Sequence, residues 1–504
     1  MRNKMSISPL RGTKYPIPTH SDSNEFDAFI RNNHTKKIVA VQGLGFVGTV
    51  MSLVVANSDE SEYAVVGVDQ ATSASYWKIA EINGGILPII SSDPLVSQYF
   101  EESKARDNFF ATANSDAFAL ADVIIVDINL DVNKIKDKEN NLAAFDVPME
   151  DFTAAMRTIG KVCKPNVLVL VETTVPPGAC RKIVYPVIKE ELESRGLPTD
   201  SFRLGHSYER VMPGPNYINS IKNFYRVYSG IDDESADAVR AFLETIISTK
   251  EYPLTRLKTT ESTEMAKVLE NSYRAMNISF AIEWSRFAEL SGVDLYEVVD
   301  AIRLRPTHAN LMYPGIGVGG YCLTKDPLLA SWASKEFFGL SDGLESSVQA
   351  VERNDKMPQY CFDFVKKILD QYKNSSVNIG LLGVAYGPGI GDTRFSPVEG
   401  FYRLLSENFT RILLQDPYVS HWTETSLEVE TSLPVFFQNN FDVLIITTAH
   451  NDYVENDKIY KLIASADKQP LIIDTVGLLD LKKLSSSYCQ NNNFYVLGVG
   501  YNEE

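Results

Sequence analysis

The sequence predicts an α/β protein in which a helical region separates two doubly wound α/β regions. Over residues 36–250, apolar runs such as KKIVAVQG and ADVIIVDIN alternate with helical patterns. Near-continuous apolar strands separated by helices are typical of a parallel sheet that is covered on both faces. The same alternation returns over 373–504, in runs such as VNIGLLGVAYG and DVLIITTAH. Two such sheets are therefore expected.

The two remaining stretches complete the predicted organisation. Residues 1–35 lack the apolar centre that a secretion signal needs, and we predict a polar N-terminal extension that ends in a short helix. Residues 251–372 are predicted to be the helical region, because 261–292 carry apolar residues at helical spacing and contain no proline. Gly292 is the expected end of this long helix.

The composition excludes several classes of partner. A formal net charge of −17 disfavours nucleic acid and anionic membrane surfaces, since both need a basic face. No apolar run approaches the roughly 20 residues that span a bilayer. The five cysteines form no CxxC pair and the six histidines are scattered, so we expect a cytoplasmic protein without a metal.

A strand, a glycine turn and a helix follow one another in KKIVAVQGLGFVGTVMSLVVA. Glycines in the order Gly-x-Gly-x-x-Gly permit a tight turn and the close approach of a pyrophosphate, which the helix N-terminus then faces. The next strand ends in a carboxylate, placed to bind the ribose hydroxyls of NAD and to repel the 2′-phosphate of NADP. The alternative is a glycine turn in some other α/β protein. The context favours NAD, with cofactor-binding residues Gly43, Gly45, Phe46, Val47, Gly48 and Asp69.

One cysteine, Cys322, directly follows a glycine-rich loop over 315–320, and Lys325 and Asp326 come soon after it. One interpretation is a small core residue, which is the usual fate of an unpaired cysteine. The other is a nucleophile that attacks an aldehyde, because a thiol with a nearby cation has a lowered pKa and reacts readily. The bare backbone beside the sulfur favours the nucleophile.

A predicted helix brings three polar residues, Glu264, Lys267 and Asn271, onto one face. The opposite face carries the apolar residues Met265, Val268 and Leu269. On spacing alone, a solvated stripe with a Glu–Lys pair is the better interpretation. With a thiol nearby, the ammonium and the amide would instead make sense as a clamp for an oxyanion.

Together these motifs resemble those of the UDP-glucose/GDP-mannose dehydrogenase family, over essentially the whole chain after the extension. The matching stretches are GLGFVG (43–48), EINGGILPI (81–89), ETTVPPGA (172–179), YERVMPG (208–214), EMAKVLENSYRAMNISF (264–280), GIGVGGYCLTKDP (315–327), GVAYGPGIGDTRFSP (383–397) and QDPYV (415–419).

The resemblance implies two Rossmann-like domains joined by a long central helix that also forms a homodimer. The first domain would bind NAD and the second the nucleotide sugar. Members of the family oxidise the C6 alcohol of the sugar to a carboxylate with two NAD and release no aldehyde. The protein would then supply a uronic acid for a surface polysaccharide.

Motif positions carry the implied roles over to this chain. Cys322 resembles the nucleophile, and Lys267 and Asn271 resemble the groups that stabilise the oxyanion. Asp326 resembles the carboxylate that positions the catalytic water or acts as a base.

Glu209 and Thr174 resemble the residues that serve thioester hydrolysis, and Thr174 is also placed at the cofactor. Lys325 is assigned to the cofactor as well. Arg394 is a candidate contact to the nucleotide diphosphate, with an ordinary surface arginine as the alternative. The implied substrate-binding residues are Glu209, Arg210, Lys267, Asn271, Gly319 and Arg394.

The chain departs from the family pattern at two basic anchors, where Gly387 and Val499 stand instead. The stretch YERVMPG resembles the branch that acts on UDP-N-acetylhexosamines, so UDP-ManNAc or UDP-GlcNAc is the expected substrate. UDP-glucose, GDP-mannose and a catalytically silent NAD-binding homologue are the alternatives.

Overall fold

The structure is a computed structural model of the 504-residue chain. It describes residues 4–18, 23–138, 141–208, 210, 214–370, 377–480, 482–484 and 494–500. The chain divides into two compact units, which are considered separately below. Unit 1 comprises Met1–Lys134, Phe145–Leu269 and Trp332–Gly343, and unit 2 comprises Ile135–Ala144, Glu270–Ser331 and Leu344–Glu504. The helical region predicted over 251–372 therefore contributes to both units.

The first half of the chain alternates strands and helices, as predicted. Its strands are β1 (Met5–Ile7), β2 (Lys14–Pro16), β3 (Lys37–Gln42), β4 (Tyr63–Val68), β5 (Phe109–Thr112), β6 (Val123–Val126), β7 (Asn133–Lys136), β8 (Leu142–Asp146), β9 (Leu168–Val171), β10 (Arg203–His206), β11 (Val227–Gly230) and β12 (Thr255–Arg256). Its helices are α1 (Ser23–Asn32), α2 (Phe46–Ala56), α3 (Tyr76–Asn83), α4 (Pro94–Ala105), α5 (Ala117–Leu120), α6 (Glu150–Val162), α7 (Tyr185–Ser194), α8 (Tyr217–Lys222) and α9 (Asp233–Leu243).

Unit 1 is built on an eight-stranded sheet in the order β12-β11-β10-β9-β6-β3-β4-β5. The six strands from β10 to β5 are parallel, whereas β11 runs antiparallel to β10. Counted from β3, their order is the 3-2-1-4-5-6 of doubly wound dinucleotide-binding sheets. Every residue of β4, β6 and β9 is buried, which confirms the prediction of a sheet covered on both faces.

The N-terminal extension packs onto this sheet. Its predicted short helix is confirmed as α1, whose Phe26 and Phe29 are buried, and the Phe29 ring lies 5.5 Å from that of Phe110 on the edge strand β5. The antiparallel hairpin of β1 and β2, which precedes α1, was not predicted.

Helices dominate the next part of the chain, and strands return after residue 377. The helices are α10 (Thr260–Ser291), α11 (Leu295–Arg303), α12 (Asp326–Glu336), α13 (Glu345–Asp355), α14 (Met357–Leu369), α15 (Pro397–Asn408), α16 (Leu433–Phe436), α17 (Asn451–Val454) and α18 (Lys458–Ala464). The strands are β13 (Asn378–Leu382), β14 (Arg411–Gln415), β15 (His421–Trp422), β16 (Leu427–Glu428), β17 (Val443–Ile446), β18 (Leu471–Asp474) and β19 (Phe494–Val496).

The long helix predicted over 261–292 is confirmed by α10, which runs without interruption from Thr260 to Ser291. Gly292 follows it with a φ of +71°, a left-handed conformation that glycine adopts readily at the end of a helix. Among the described residues, no helix has both the length and the apolar character that crossing a membrane requires.

Unit 2 contains the second predicted sheet, five parallel strands in the order β14-β13-β17-β18-β19. This is the other doubly wound order, 2-1-3-4-5, in which ligands bind where the strand order reverses, beyond the carboxyl ends of the first and third strands. Apolar clusters cover both faces of the sheet, one around Phe401 and Trp422 and the other around Phe436 and Tyr460.

Candidate active site

The glycine turn after β3 in unit 1 has the geometry of a dinucleotide cradle. Gly43 has a φ of +100°, and a Cβ atom there would lie 2.4 Å from the carbonyl oxygen of Asp127. A Cβ at Gly48 would lie 1.9 Å from the carbonyl oxygen of Gly43, so the first turn of α2 can pack this closely only with glycine. Gly45, by contrast, faces open space on the side where a Cβ would stand. Phe46 and Val47 begin α2, whose N-terminal N–H groups suit a phosphate.

Asp69 stands directly after β4, beside this turn. Its carboxylate accepts the N–H of Leu44 at 3.1 Å and the N–H of Gln70 at 2.7 Å, and it forms an ion pair with Lys78 on α3. The Asp69 side chain keeps part of its surface exposed, so that a ribose hydroxyl can reach it. The residues of this turn therefore fit the adenosine and pyrophosphate portions of NAD.

Cys322 lies in unit 2, in the turn that leads into α12, and is half-buried. Its carbonyl oxygen accepts the N–H groups of Lys325 at 3.2 Å and Asp326 at 2.9 Å, which fixes the residue against the start of the helix. The glycines before it are needed for packing, because a Cβ at Gly319 or Gly320 would come within 2.8 Å of Tyr386. The thiol thus sits on a tightly fixed backbone.

Asp326 is fully buried and is held by two donors. The Nδ2 of Asn271 donates to one carboxylate oxygen at 2.6 Å, and the Nζ of Lys325 donates to the other at 2.8 Å. The Lys325 ammonium also lies 4.5 Å from the centroid of the Tyr321 ring. Three of the predicted residues, Asn271, Lys325 and Asp326, are therefore brought into contact beside the cysteine backbone.

Arg394 lies in the segment that packs against the cysteine loop. It forms a bidentate pair with Asp392, at 2.9 Å and 2.7 Å, and its side chain remains partly exposed. The ring of its neighbour Phe395 is tilted by 43° against that of Tyr321, with ring centroids 6.1 Å apart. Burial raises the pKa of Tyr386 to about 12, with the negative charges of Asp392 and of the Cys322 thiolate adding to the shift. Arg394 and the thiol therefore share one neighbourhood within unit 2.

Lys267 lies in unit 1, on α10, one helical turn before Asn271. It is nearly buried, and its ammonium lies 5.4 Å from the centroid of the Tyr208 ring. Arg210 lies over the same ring and donates to the Tyr208 hydroxyl at 3.2 Å. Glu209, between these residues, lies outside the described residues.

Glu264, on the same helical face as Lys267, is also buried rather than solvated. Its two carboxylate oxygens accept the N–H groups of Gly178 at 2.6 Å and Cys180 at 2.8 Å. Of the residues predicted on the opposite face, Met265 and Leu269 are exposed, whereas Val268 is buried. The solvated Glu–Lys stripe is therefore wrong, because here the polar face is the one turned inward.

Thr174 is half-buried, in the segment that connects β9 to the turn at Gly178. A buried ion pair between Glu172 and Arg226 lies at the start of this segment, and the Nε of Arg226 donates to the Ser207 hydroxyl at 3.1 Å. Sequence reasoning missed this pair. Glu172 falls within a recognised motif, but nothing in the local pattern marked Arg226 as its partner.

The second sheet has a glycine turn like that of the first, in which backbone N–H groups donate to an aspartate after the neighbouring strand. Gly383 follows β13 with a φ of +95°, and the N–H groups of Val384 and Ala385 donate to Asp416, which follows β14, at 2.9 Å and 3.0 Å. The Nε2 of His450 is 3.1 Å from the same carboxylate, and its Nδ1 accepts the N–H of Gly389 at 3.0 Å. His450 thereby holds the loop that contains Gly387.

Val499 has a structural setting of its own. Its backbone bridges to that of Asp294, and its neighbour Gly498 donates to Glu289 on α10 at 2.8 Å. The chain near residue 499 is thus packed against the end of α10 and the start of α11. Among the described residues, no three His, Cys, Asp or Glu side chains form a group that could hold a metal ion.

A dinucleotide cradle in one unit, and in the other a thiol beside a buried carboxylate and a second nucleotide-type turn, define an NAD-dependent oxidoreductase. The chain belongs to the UDP-glucose/GDP-mannose dehydrogenase family. Residues 37–247 match its NAD binding domain, 261–354 its central domain and 380–481 its UDP binding domain. It is thus an enzyme of the NAD-dependent nucleotide-sugar dehydrogenase family.

Two curated relatives match nearly their full length. A UDP-N-acetyl-D-mannosamine dehydrogenase of Pyrococcus horikoshii is 28% identical over 439 residues, which are 86% of this chain and 94% of the relative. An NDP-N-acetyl-D-galactosaminuronic acid dehydrogenase of Ralstonia nicotianae is 25% identical over 459 residues, which are 89% of this chain and 98% of the relative.

Solved structures share the fold. The UDP-D-ManNAc dehydrogenase of Pyrococcus horikoshii superimposes with a TM-score of 0.74 at 24% identity, covering 92% of this chain and 99% of that one. A UDP-glucose dehydrogenase of Pyrobaculum islandicum gives 0.71 at 22% identity, covering 90% and 97%. The fold is therefore common to enzymes whose names carry different sugars.

Proposed function

We propose that this protein oxidises the C6 alcohol of a UDP-N-acetylhexosamine to the uronate through a covalent intermediate on Cys322. The observation that carries the proposal is the contact set around Asp326, which is buried, hydrogen-bonded to Asn271 and paired with Lys325 directly after the cysteine turn. A structural cysteine needs no such neighbours.

The overall reaction converts one –CH2OH group, two NAD⁺ and one water into a carboxylate, two NADH and three protons. NAD, when bound, accepts the two hydrides. Between the two oxidations the Cys322 sulfur bonds to the aldehyde carbon, giving a thiohemiacetal whose oxidation yields a thioester. Water then attacks the thioester carbonyl, the C–S bond breaks and the thiol is restored. The covalent bond keeps the aldehyde from leaving between the two steps.

The polar neighbours have separate tasks in this scheme. Lys267 and Asn271, one turn apart on α10, would stabilise the negative oxygen that develops at C6. The Asn271 amide is oriented by its bond to Asp326, since an Nδ2 that donates to a carboxylate directs its other N–H elsewhere. Asp326 would accept a proton or direct the water, and Thr174, with Glu209, would serve hydrolysis.

The nucleotide sugar is assigned to the carboxyl ends of β13 and β17, where the strand order of the second sheet reverses. The loop held by His450 lies there, and Arg394 follows on the same segment with its guanidinium partly exposed. A guanidinium suits a diphosphate, because its planar fork can donate two parallel hydrogen bonds. The names of both curated relatives contain an N-acetylhexosamine, which supports the same substrate class.

A homodimer is the proposed assembly, formed through α10. Large apolar side chains recur every three or four residues along one face of this helix and are exposed, Leu290 by 88%. Soluble proteins rarely leave such a continuous apolar stripe uncovered. The stripe in unit 2 consists of Tyr273, Met276, Phe280, Trp284, Phe287 and Leu290.

A substrate panel tests the function. The protein is incubated with NAD and, separately, with UDP-ManNAc, UDP-GlcNAc, UDP-glucose and GDP-mannose, and NADH is counted per sugar consumed. We expect two NADH per molecule with a UDP-N-acetylhexosamine. Two NADH with UDP-glucose or GDP-mannose alone would reassign the substrate, and NAD binding without any turnover would identify a silent homologue.

The covalent step has its own test, Cys322→Ser. We expect this variant to lose turnover and still bind NAD, because the cradle residues are untouched. Cys163→Ser, which alters a buried thiol at the end of α6, is the matched control and should keep its activity. Uronate production by Cys322→Ser at close to the wild-type rate would refute the covalent mechanism.

A further inference from the structure

The hairpin of β1 and β2 lies before residue 37, where the match to the NAD binding domain begins. Ser6 pairs with Tyr15 in its register. In β1 only Ser6 is buried, between exposed neighbours, and Tyr15 is the more buried residue of β2. The hairpin therefore turns one polar face, Ser6 and Tyr15, toward the rest of unit 1.

Ser6 caps the start of α3 from outside the helix. The N–H of Trp77, in the first turn of α3, donates to the Ser6 hydroxyl at 3.0 Å, and this hydroxyl donates to the carbonyl of Ser73 at 2.9 Å. Within the described part of the chain, Ser75, the N-cap residue of α3, makes no capping bond through its side chain. A helix needs such acceptors for its first N–H groups, and here the hairpin provides one.

Arg11 and Tyr15 hold α3 farther along. Arg11 donates to the carboxylate of Glu81 at 2.8 Å and to the carbonyl of Leu87 at 3.0 Å, and the Tyr15 hydroxyl lies 3.5 Å from Glu81. Glu81 is fully buried, so losing Arg11 alone would leave a buried carboxylate without its ion-pair partner. The hairpin thus forms hydrogen bonds with α3 both in its first turn and near its last turn.

Lys78 lies on α3 between these two points of contact, and its ammonium pairs with Asp69 at the glycine turn. Lys78 is one residue after Trp77 and three before Glu81, so any displacement of α3 moves the ammonium relative to the carboxylate. The arrangement forms one chain of contacts from the hairpin, through α3, to the edge of the cofactor cradle.

We propose that the N-terminal hairpin is a positioning element of the NAD site, in which Ser6, Arg11 and Tyr15 hold α3 so that Lys78 and Asp69 keep their places. The inference rests on the proposed role of Asp69 in binding the ribose of NAD. It assigns a cofactor-binding task to a segment outside the family match. The inference concerns NAD binding alone, so the chemical steps should not depend on the hairpin residues.

The test uses the full chain with Ser6→Ala, Tyr15→Phe and the double variant Arg11→Met/Glu81→Gln. The double variant removes the ion pair without leaving a buried charge alone. Lys14→Ala, an exposed change on the same strand, is the matched control. NAD affinity is measured by calorimetry, and hydrogen exchange over residues 76–83 is followed without cofactor.

We expect the Arg11→Met/Glu81→Gln variant to bind NAD about tenfold more weakly, the loss that accompanies one misplaced charge-assisted hydrogen bond. Hydrogen exchange over residues 76–83 should accelerate in this double variant and in Ser6→Ala and Tyr15→Phe. The rate at saturating NAD and the KM for the nucleotide sugar should stay at wild-type values. Lys14→Ala should change none of these quantities.

Two results separate the failure of this inference from the failure of its premise. If Asp69→Ala weakens NAD binding but the hairpin variants do not, even where exchange over 76–83 accelerates, the hairpin is only a structural cap and the proposal is wrong. If Asp69→Ala leaves NAD affinity unchanged, the assignment of Asp69 to the ribose fails instead. A variant that does not fold is replaced by Ser6→Ala, which removes one hydroxyl.

Discussion

Replacing Glu264 by glutamine should change how the stability of unit 1 depends on pH. Glu264 is buried, and its carboxylate accepts the N–H groups of Gly178 and Cys180. Burial raises its pKa from 4.5 to about 7, although these hydrogen bonds oppose the shift. The folded unit therefore binds this proton more tightly than the unfolded chain does.

The sign and size of the effect follow from these two values. The stabilising contribution of the proton is fully present below the unfolded pKa of 4.5 and is lost as the pH rises through about 7. The difference between the unfolded and folded pKa values corresponds to roughly 3 kcal/mol of unfolding free energy. Glutamine carries no charge at any pH, so Glu264→Gln lacks this loss. Going from pH 5 to pH 8.5, the wild type should lose about 3 kcal/mol relative to the variant.

Hydrogen exchange of the peptide over 176–184 at both pH values, corrected for intrinsic rates, measures this difference locally. The neighbours Glu261 and Arg181 are present in both proteins, so the comparison isolates residue 264. Glu190→Gln, an exposed carboxylate on α7, is the control and should show no pH-dependent difference. A wild-type minus Glu264→Gln difference that stays constant from pH 5 to pH 8.5 would show that burial does not hold a proton on Glu264.

Three further outcomes are expected. Asn271→Asp puts a second carboxylate at hydrogen-bonding distance from Asp326 and should lower kcat by at least about a hundredfold. Asn271→Gln, measured alongside, should retain more activity, and equal kcat values for the two variants would contradict the reasoning. Trp284→Glu adds a charge to the exposed apolar stripe of α10 and should give monomers by light scattering, whereas an unchanged mass would rule out this interface. His450→Asn keeps an acceptor for Gly389 and should raise the KM for the nucleotide sugar less than His450→Phe, with the NAD affinity of both unchanged; the opposite order would refute the holding role of His450.

Sequence reasoning predicted the architecture well, because the relevant signals are local. The apolar strands, the glycine turn and the uninterrupted helix that ends at Gly292 each need only neighbouring residues to be recognised. The contact between Asn271 and Asp326 was not predicted. The resemblance gave the two residues different roles in one active site, and spacing cannot bring together residues from α10 and α12.

The misses concern burial and long-range pairing. The face with Glu264 and Lys267 looked like a solvated stripe because charged residues usually lie outside. It is buried because backbone N–H groups near Gly178 satisfy the carboxylate and an aromatic ring lies against the ammonium. Arg11 and Glu81 are 70 residues apart in the sequence, and no periodicity predicts a pair between residues so far apart.

The glycine turns after β3 and β13 are alike in their backbone hydrogen bonds, but the aspartates that accept these bonds differ in exposure. The Asp69 side chain keeps part of its surface exposed. Asp416, by contrast, is fully buried and accepts hydrogen bonds from Val384, Ala385, Tyr418 and His450. A ribose diol could not reach that second aspartate, because none of its surface is exposed. Titration of the protein should therefore saturate at one dinucleotide per polypeptide, leaving the other sheet to its own nucleotide.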